Sequence, residues 1–259
     1  MASKNLTILL NYLDVCKKAA QNDNIFNLFK RHPDYTVVLE HVWYECGLDC
    51  LTEIEKNSPY LLDYIPYFIT NDTVGNPNKY WYKDLNENVS PTTLRYIKVL
   101  GDLMNLFGTL DDMDIVEIGG GYGGQCKIIH DIAKPRSYTI IDLPEVLLLT
   151  KKYLTKFGIP NIQYVSPKGL KKGKYDLCIS NYAFTEVVRN FQNIYIENVI
   201  KGSDRGYITC NFIEQNRKGF AKRLNKQEIF NLKPNAEFLP EIPLTGLNNI
   251  IYVWNLQVK

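Results

Sequence analysis

Apolar positions in the first quarter of the chain recur at helical spacing: Leu6, Leu9, Leu10 and Leu13, then Ile25, Leu28 and Phe29, then Val38, Leu39 and Val42. That period predicts amphipathic helices from Leu6 to about Tyr67. Pro33, Gly47 with Asp49, and Ser58-Pro59 cut them into short pieces that are not stable alone in water. They are expected to pack on something larger. From Thr70 to Pro91 polar turn residues with embedded aromatics predict a long loop, and long ordered loops are often functional. Ser90 then offers an N-cap and Pro91 a first helical position, with Leu94, Ile97, Leu100 and Leu103 as the apolar face.

Beyond this helix the period changes. Strands are predicted at Asp114 to Ile118, Tyr138 to Ile141, Ile162 to Val165, Asp176 to Ser180 and Gly206 to Phe212. Helices alternate with them at Gln125 to Ile132, Leu147 to Phe157 and about Phe191 to Ile200. Such alternation means an α/β fold with a mostly parallel sheet covered on both faces. The apolar run Asn249 to Leu256 has no helix after it and is expected to close the sheet as an antiparallel strand. Residues 1–89 are thus read as a helical cap and loop, and 90–259 as the sheet domain.

Composition narrows the function. With 259 residues, 30 Lys and Arg against 28 Asp and Glu leave a net charge of +2, which argues against a dedicated nucleic-acid binder. The short apolar stretch near the N-terminus is broken by Asn11 and Asp14, so it is read as neither a signal peptide nor a membrane span, and a cytoplasmic location is expected. Six scattered cysteines are expected as reduced thiols; Cys46 and Cys50 lack the further ligands of a structural zinc site.

The segment from Ile115 to Gln125 carries the chemistry, joining a buried strand to a helix through five glycines. Glycine permits unusual dihedrals and close approach of a ligand, and the following helix start suits an anionic group. Asp142 ends the next strand, 18 residues after Gly124, where a carboxylate can accept both hydroxyls of a ribose. Gly119-x-Gly121-x-x-Gly124 fits a dinucleotide fingerprint, and Glu117-x-Gly119-x-Gly121-x-Gly123 fits S-adenosylmethionine (AdoMet) binding. Glu117, the preceding helices and the terminal antiparallel strand favour AdoMet, because a carboxylate there would repel a pyrophosphate.

A second polar turn follows the strand at Asp176 to Ser180, and ligands in open parallel sheets bind beyond the carboxyl ends of strands. The run Ser180-Asn181-Tyr182-Ala183-Phe184-Thr185-Glu186-Val187 resembles a family, the AdoMet-dependent sugar O-methyltransferases of the Rossmann-like methyltransferase fold. Matching pieces are Thr70-Asn71-Asp72 with Gly75-Asn76-Pro77, Ser90 to Tyr96, Val116 to Gln125, and Ile141-Asp142-Leu143-Pro144. They span about residues 70 to 190; Thr185 stands where Ser is expected. The resemblance implies methyl transfer from AdoMet to a sugar hydroxyl of a nucleotide sugar or glycan. Glu117, Gly119, Gly121, Gly123, Gln125, Asp142, Leu143, Ser180 and Asn181 are the expected cofactor contacts.

A sugar hydroxyl is a poor acid, so a base within hydrogen-bond reach, or a divalent metal on the sugar diol, is expected. Glu186, Asp72 and His41 are the candidate bases, against plainer roles as a helix-start charge, an Asx-turn and a packed or surface histidine. Asn71, Tyr80, Arg95, Tyr182 and Arg189 are candidate acceptor contacts: Tyr80 by stacking on a ring, Arg95 and Arg189 by holding a diphosphate. Two alternatives stay open. One is an NAD-dependent sugar oxidoreductase or epimerase, whose Tyr-x-x-x-Lys pair would be Tyr164 and Lys168. The other is a silent AdoMet-binding subunit of a partner enzyme. The helical cap also allows a homo-oligomer.

Overall fold

The structure is a computed structural model and describes residues 2–212 and 223–256. Five helices open the chain: α1 (Ala2–Gln21), α2 (Asp23–Phe26), α3 (Pro33–Thr36), α4 (Tyr44–Asn57) and α5 (Ile65–Phe68). The expected loop contains a small hairpin, β1 (Tyr80–Tyr82) with β2 (Glu87–Val89), because Tyr82 and Val89 bury one face of it. Density of Asn, Asp and Gly hid strands of three residues. Helix α6 (Pro91–Phe107) starts as its sequence dictates, with the Ser90 hydroxyl accepting from the Thr93 N–H.

The alternating part follows: β3 (Asp114–Ile118), α7 (Gly124–His130), β4 (Ser137–Ile141), α8 (Pro144–Lys156), β5 (Ile162–Val165), β6 (Tyr175–Asn181), α9 (Ala183–Glu186), α10 (Arg189–Asn198), β7 (Ser203–Cys210), α11 (Lys226–Phe230), β8 (Ala236–Pro240) and β9 (Ile250–Trp254). Seven strands form one sheet in the order β5-β4-β3-β6-β7-β9-β8, parallel except that β9 runs antiparallel to both neighbours. This is a Rossmann-like α/β sheet. One expectation needs correcting: β9 does not close the sheet but lies inside it, which is why Ile251 to Trp254 are buried on both faces. The edge is β8, whose half-exposed, Pro-ended pattern gave no strand signal.

The order reverses at β3, whose neighbours are β4 and β6. The crevice at their carboxyl ends is therefore the place for a ligand. The N-terminal helices pack onto this end: α1 lies along α8, pinned by Lys152, which donates to the Ala19 carbonyl and pairs with Asp23 at 2.7 Å. One hydrophobic core runs from Tyr12 and Phe29 through Leu94 and Ile97 to Ile115 and Ile140, so cap and sheet share an interior. Among the described residues no helix is long and apolar enough to cross a membrane. All six cysteines are free, and Cys178 and Cys210 are buried in strands as expected. The sequence is rich in basic residues from Arg217 to Arg223, and of these seven positions all but Arg223 lie outside the described residues.

Candidate functional site

Three glycines of the loop, Gly119, Gly121 and Gly123, adopt positive φ of 78°, 54° and 94°, a region that side chains disfavour. Close approach adds a second demand. A Cβ on Gly119 would sit 2.1 Å from the Ala183 side chain, and one on Gly121 would sit 2.9 Å from Leu39. The loop after β3 is thus wedged between the turn after β6 and the cap segment around Leu39. Asp142 fixes its shape: one carboxylate oxygen accepts from the Gly121 N–H at 2.9 Å, the other from the Leu143 N–H at 2.7 Å. Each oxygen keeps a second lone pair. Burial raises this carboxyl to about 6, opposed by those two amides.

Glu117 lies beneath the loop. It is 2% exposed, accepts from the Tyr138 hydroxyl at 2.8 Å, and its side chain is close to where a Cβ on Gly120 would fall. Burial pushes it up to about 7, so at neutral pH its charge is only partly present. The expected repulsion of a pyrophosphate is correspondingly weak. Gln125 is also buried; its amide N–H donates to the Tyr96 carbonyl while its side-chain oxygen has no partner among the described residues.

Ser180, placed in the cofactor contacts by its position, is a latch instead. Its hydroxyl donates to the Ile118 carbonyl and accepts from the Phe184 N–H, tying β6 to β3 and to α9. The next residue behaves differently: both polar atoms of the Asn181 amide are buried with no partner among the described residues. Tyr182 follows at φ 69°, ψ −35°, a strained conformation for a bulky residue, and strain of this kind clusters at functional sites. Its hydroxyl donates to Glu241. Thr185 keeps its hydroxyl within reach of the Tyr182 carbonyl and Asn211, a role Ser would fill equally.

The structure separates the candidate bases. Asp72 is 5% exposed and accepts from the Ser90 N–H (2.6 Å), the Ser90 hydroxyl (2.8 Å) and the Thr93 hydroxyl (2.7 Å). It fastens the start of α6 and is not free to take a proton from an acceptor, a correction to its reading as a base. Glu186 is exposed at the end of α9 and accepts from the Asn211 amide at 2.6 Å. His41 is exposed on the cap segment and feels the charges of Arg95 and Glu186. Partial burial, then Arg95, lower its pKa, with Glu186 opposing.

Three acceptor contacts are likewise relocated. Asn71 is fully buried; its amide donates to Thr93 (2.6 Å) and Tyr122 (3.1 Å) and accepts from the Tyr153 hydroxyl, so it props the glycine loop from behind. Tyr80 lies on the hairpin against Tyr44, ring centroids 5.7 Å apart. Arg189 is bound at 2.6 Å to Glu228, joining α10 to α11. Arg95 and Tyr182 remain together, lining a recess with Asn181, Tyr207 and Glu241 beside the cleft.

A residue that the sequence reading missed is Glu40. One of its carboxylate oxygens is buried without a hydrogen-bond partner among the described residues, and burial raises its pKa against the attraction of Lys30. Lying among aromatic and polar cap residues, it carried no motif. Among the described residues no three of His, Cys, Asp and Glu converge to hold a metal ion. Tyr164 lies in β5 and Lys168 in a 3₁₀ turn, so the pair shares no helix as an oxidoreductase would need.

No family model matches the sequence. In fold the chain is similar to an rRNA methylase from Streptococcus thermophilus, at 17% identity and a TM-score of 0.44 over 63% of this chain and 98% of that one. It is similar to magnesium protoporphyrin IX methyltransferase (ChlM) from Synechocystis PCC 6803 with bound SAM, at 12% and 0.44 over 61% and 74%. It is also similar to the N-terminal domain of EvdMO1 in the presence of SAH and D-fucose, at 14% and 0.46 over 62% and 82%. The likeness is one of general layout, and the chemistry has to come from the side chains.

Proposed function

We propose that the chain transfers a methyl group from AdoMet to a hydroxyl of a sugar, on a nucleotide sugar or a glycan. The observation that supports this is Asp142 at the switch point of the sheet, held by the glycine-loop amide of Gly121 with lone pairs left for a diol. The fit to an adenosine ligand rests on that donor set, on the positive-φ glycines and on the orphaned amide of Asn181. Asp142 would hold the ribose, the backbone from Gly119 to Gly123 the amino-acid end, and Asn181 a polar group beside them. AdoMet, when bound, supplies a sulfonium methyl with a neutral thioether as leaving group.

The protein's own work is then alignment and removal of the hydroxyl proton. In this reading His41 is the base: partial burial and then Arg95 lower its pKa, which favours the neutral imidazole a base needs, and the opposing charge of Glu186 would stabilise the imidazolium that forms. Glu186 is a positioning residue in this reading.

Calorimetric titration with S-adenosylhomocysteine and with NAD tests the cofactor; heat with the first and none with the second is expected, and the reverse overturns the reading. Methyl transfer from labelled AdoMet to a panel of nucleotide sugars tests the reaction. In that assay His41→Ala is expected to lower kcat by roughly 100-fold or more and Glu186→Gln by less. The wild-type rate should rise with pH through a pKa below 6.5, as the imidazole loses its proton. A full-rate His41→Ala enzyme would remove the imidazole from the mechanism.

A further inference from the structure

Arg95 sits on α6 with its guanidinium 5.8 Å from the ring centroids of both Tyr96 and Tyr182. Among the described residues no carboxylate, carbonyl or hydroxyl accepts a hydrogen bond from it. The other charged groups lining the recess are matched. Lys98 pairs with Asp102 at 2.7 Å, and Tyr207 donates to the same carboxylate at 2.6 Å. Glu241 accepts from the Tyr182 hydroxyl and from the Thr245 N–H at 2.9 Å. Glu40 attracts Arg95 from the cap side, but Lys30 is its stronger partner.

A guanidinium held between two rings is pre-oriented, and its five donors in a fixed fork match a carboxylate or phosphate. Among the described residues lining the recess, both polar atoms of the Asn181 amide are also buried without a partner, and Asn181 directly precedes the strained Tyr182, whose ring faces Arg95. Holding Tyr182 strained keeps that ring in place.

We propose that the recess binds an oxyanion, carboxylate or phosphate, carried by the acceptor sugar, with Arg95 as its anchor and Asn181 as a second donor. The proposal rests on the methyl-transfer reading and narrows its acceptor to anionic sugars. Because Asn181 borders both the recess and the cofactor cleft, an acceptor anchored at Arg95 presents its ring hydroxyls toward the cleft.

The test follows the Arg95 Nε–H resonance of ¹⁵N-labelled protein, identified by its loss in Arg95→Gln. The protein is first saturated with S-adenosylhomocysteine, then titrated with inorganic phosphate against sodium chloride at equal ionic strength. A saturable shift with phosphate and none with chloride is expected. Glucuronate and glucose 1-phosphate, titrated next, distinguish the two sources of the anion by which binds more tightly. Arg95→Lys, which keeps the charge but not the fork, should weaken phosphate roughly tenfold. Arg95→Gln should abolish phosphate binding while leaving S-adenosylhomocysteine affinity unchanged. No response to phosphate or an equal response to chloride overturns the proposal; so does a phosphate response seen in a parallel titration of unliganded protein and absent after saturation with S-adenosylhomocysteine, which would assign Arg95 to the amino-acid carboxylate of the cofactor. Calorimetry on the same sample separates the two readings. Wild-type protein that binds S-adenosylhomocysteine yet leaves Arg95 silent sinks the anion site alone, whereas protein that binds none sinks the methyl-transfer reading.

Discussion

Two buried polar clusters flank the glycine loop, and they differ in whether their hydrogen bonds are complete. Behind the loop, Asn71, Asp72, Ser90, Thr93, Tyr122 and Tyr153 satisfy one another, and buried Lys30 donates to the Asn71 carbonyl with its cation 4.1 Å from the Tyr122 ring. In front, among the described residues, Asn181 has no hydrogen-bond partner and Arg95 has only rings close to its guanidinium. A buried polar group without a partner costs about 1 to 3 kcal/mol. A fold carries that cost where something else completes the set. The saturated cluster therefore builds the scaffold, and the open one is where the proposed ligand would complete the set.

The largest effect that would break this contrast lies at Asp72. Asp72→Ala strips the acceptor from two hydroxyls and a backbone N–H that no water reaches, an expected loss of roughly 3 to 5 kcal/mol in unfolding free energy. Urea denaturation measures it. A loss below about 1 kcal/mol would mean that the network is not what holds α6 to the cap, and the scaffold role would pass elsewhere.

Glu117 stands between the two clusters: its hydrogen bond to Tyr138 is made, yet its charge is buried. Its carboxyl is raised from 4.5 to about 7, so it favours the folded state most below pH 4.5, and that contribution is lost as pH rises through 7. Asp142, raised from 3.8 to about 6, adds a loss of the same sign through its own lower window. Glu117→Gln keeps an acceptor for the Tyr138 hydroxyl and removes the charge. The variant is expected to flatten the fall in stability between pH 5 and 8 by about 2 to 3 kcal/mol. An unchanged slope would show that Glu117 is ionised in the fold throughout, and the repulsion of a pyrophosphate would regain its force.

The same contrast explains what the sequence could disclose. The floor of the site was legible because its parts are contiguous: Val116 to Gln125 states a strand, a glycine turn and a helix in ten residues, and Asp142 follows at a fixed interval. The sides were not, since Asp72 meets Ser90 across 18 residues and Asn71 meets Tyr122 across 51, and no local pattern announces such pairs. Asp72 and Asn71 read as polar loop residues, when burial had already committed their hydrogen bonds. Arg189 read as a free cation because Glu228, its partner, lies 39 residues away. β8 went unseen for a different reason: an edge strand with one wet face lacks the apolar run that betrayed β9.

The smallest effect on stability is also the sharpest test of the contrast. Asn181→Leu replaces an amide with no partner among the described residues by an apolar group of nearly the same shape, so it forfeits no hydrogen bond with any of them. Unfolding free energy is expected to stay within about 0.5 kcal/mol of wild type, or to rise, because a desolvated amide has been removed. Ligand binding should move the other way. An amide donor to an anion contributes roughly 1.5 to 3 kcal/mol, so phosphate or S-adenosylhomocysteine should bind at least about tenfold more weakly to the variant. Which of the two weakens says whether Asn181 serves the recess or the cleft. A variant that is clearly destabilised while binding both ligands normally would show that the amide is satisfied by ordered water and belongs to the scaffold after all, and the distinction between the two clusters would lose its physical basis.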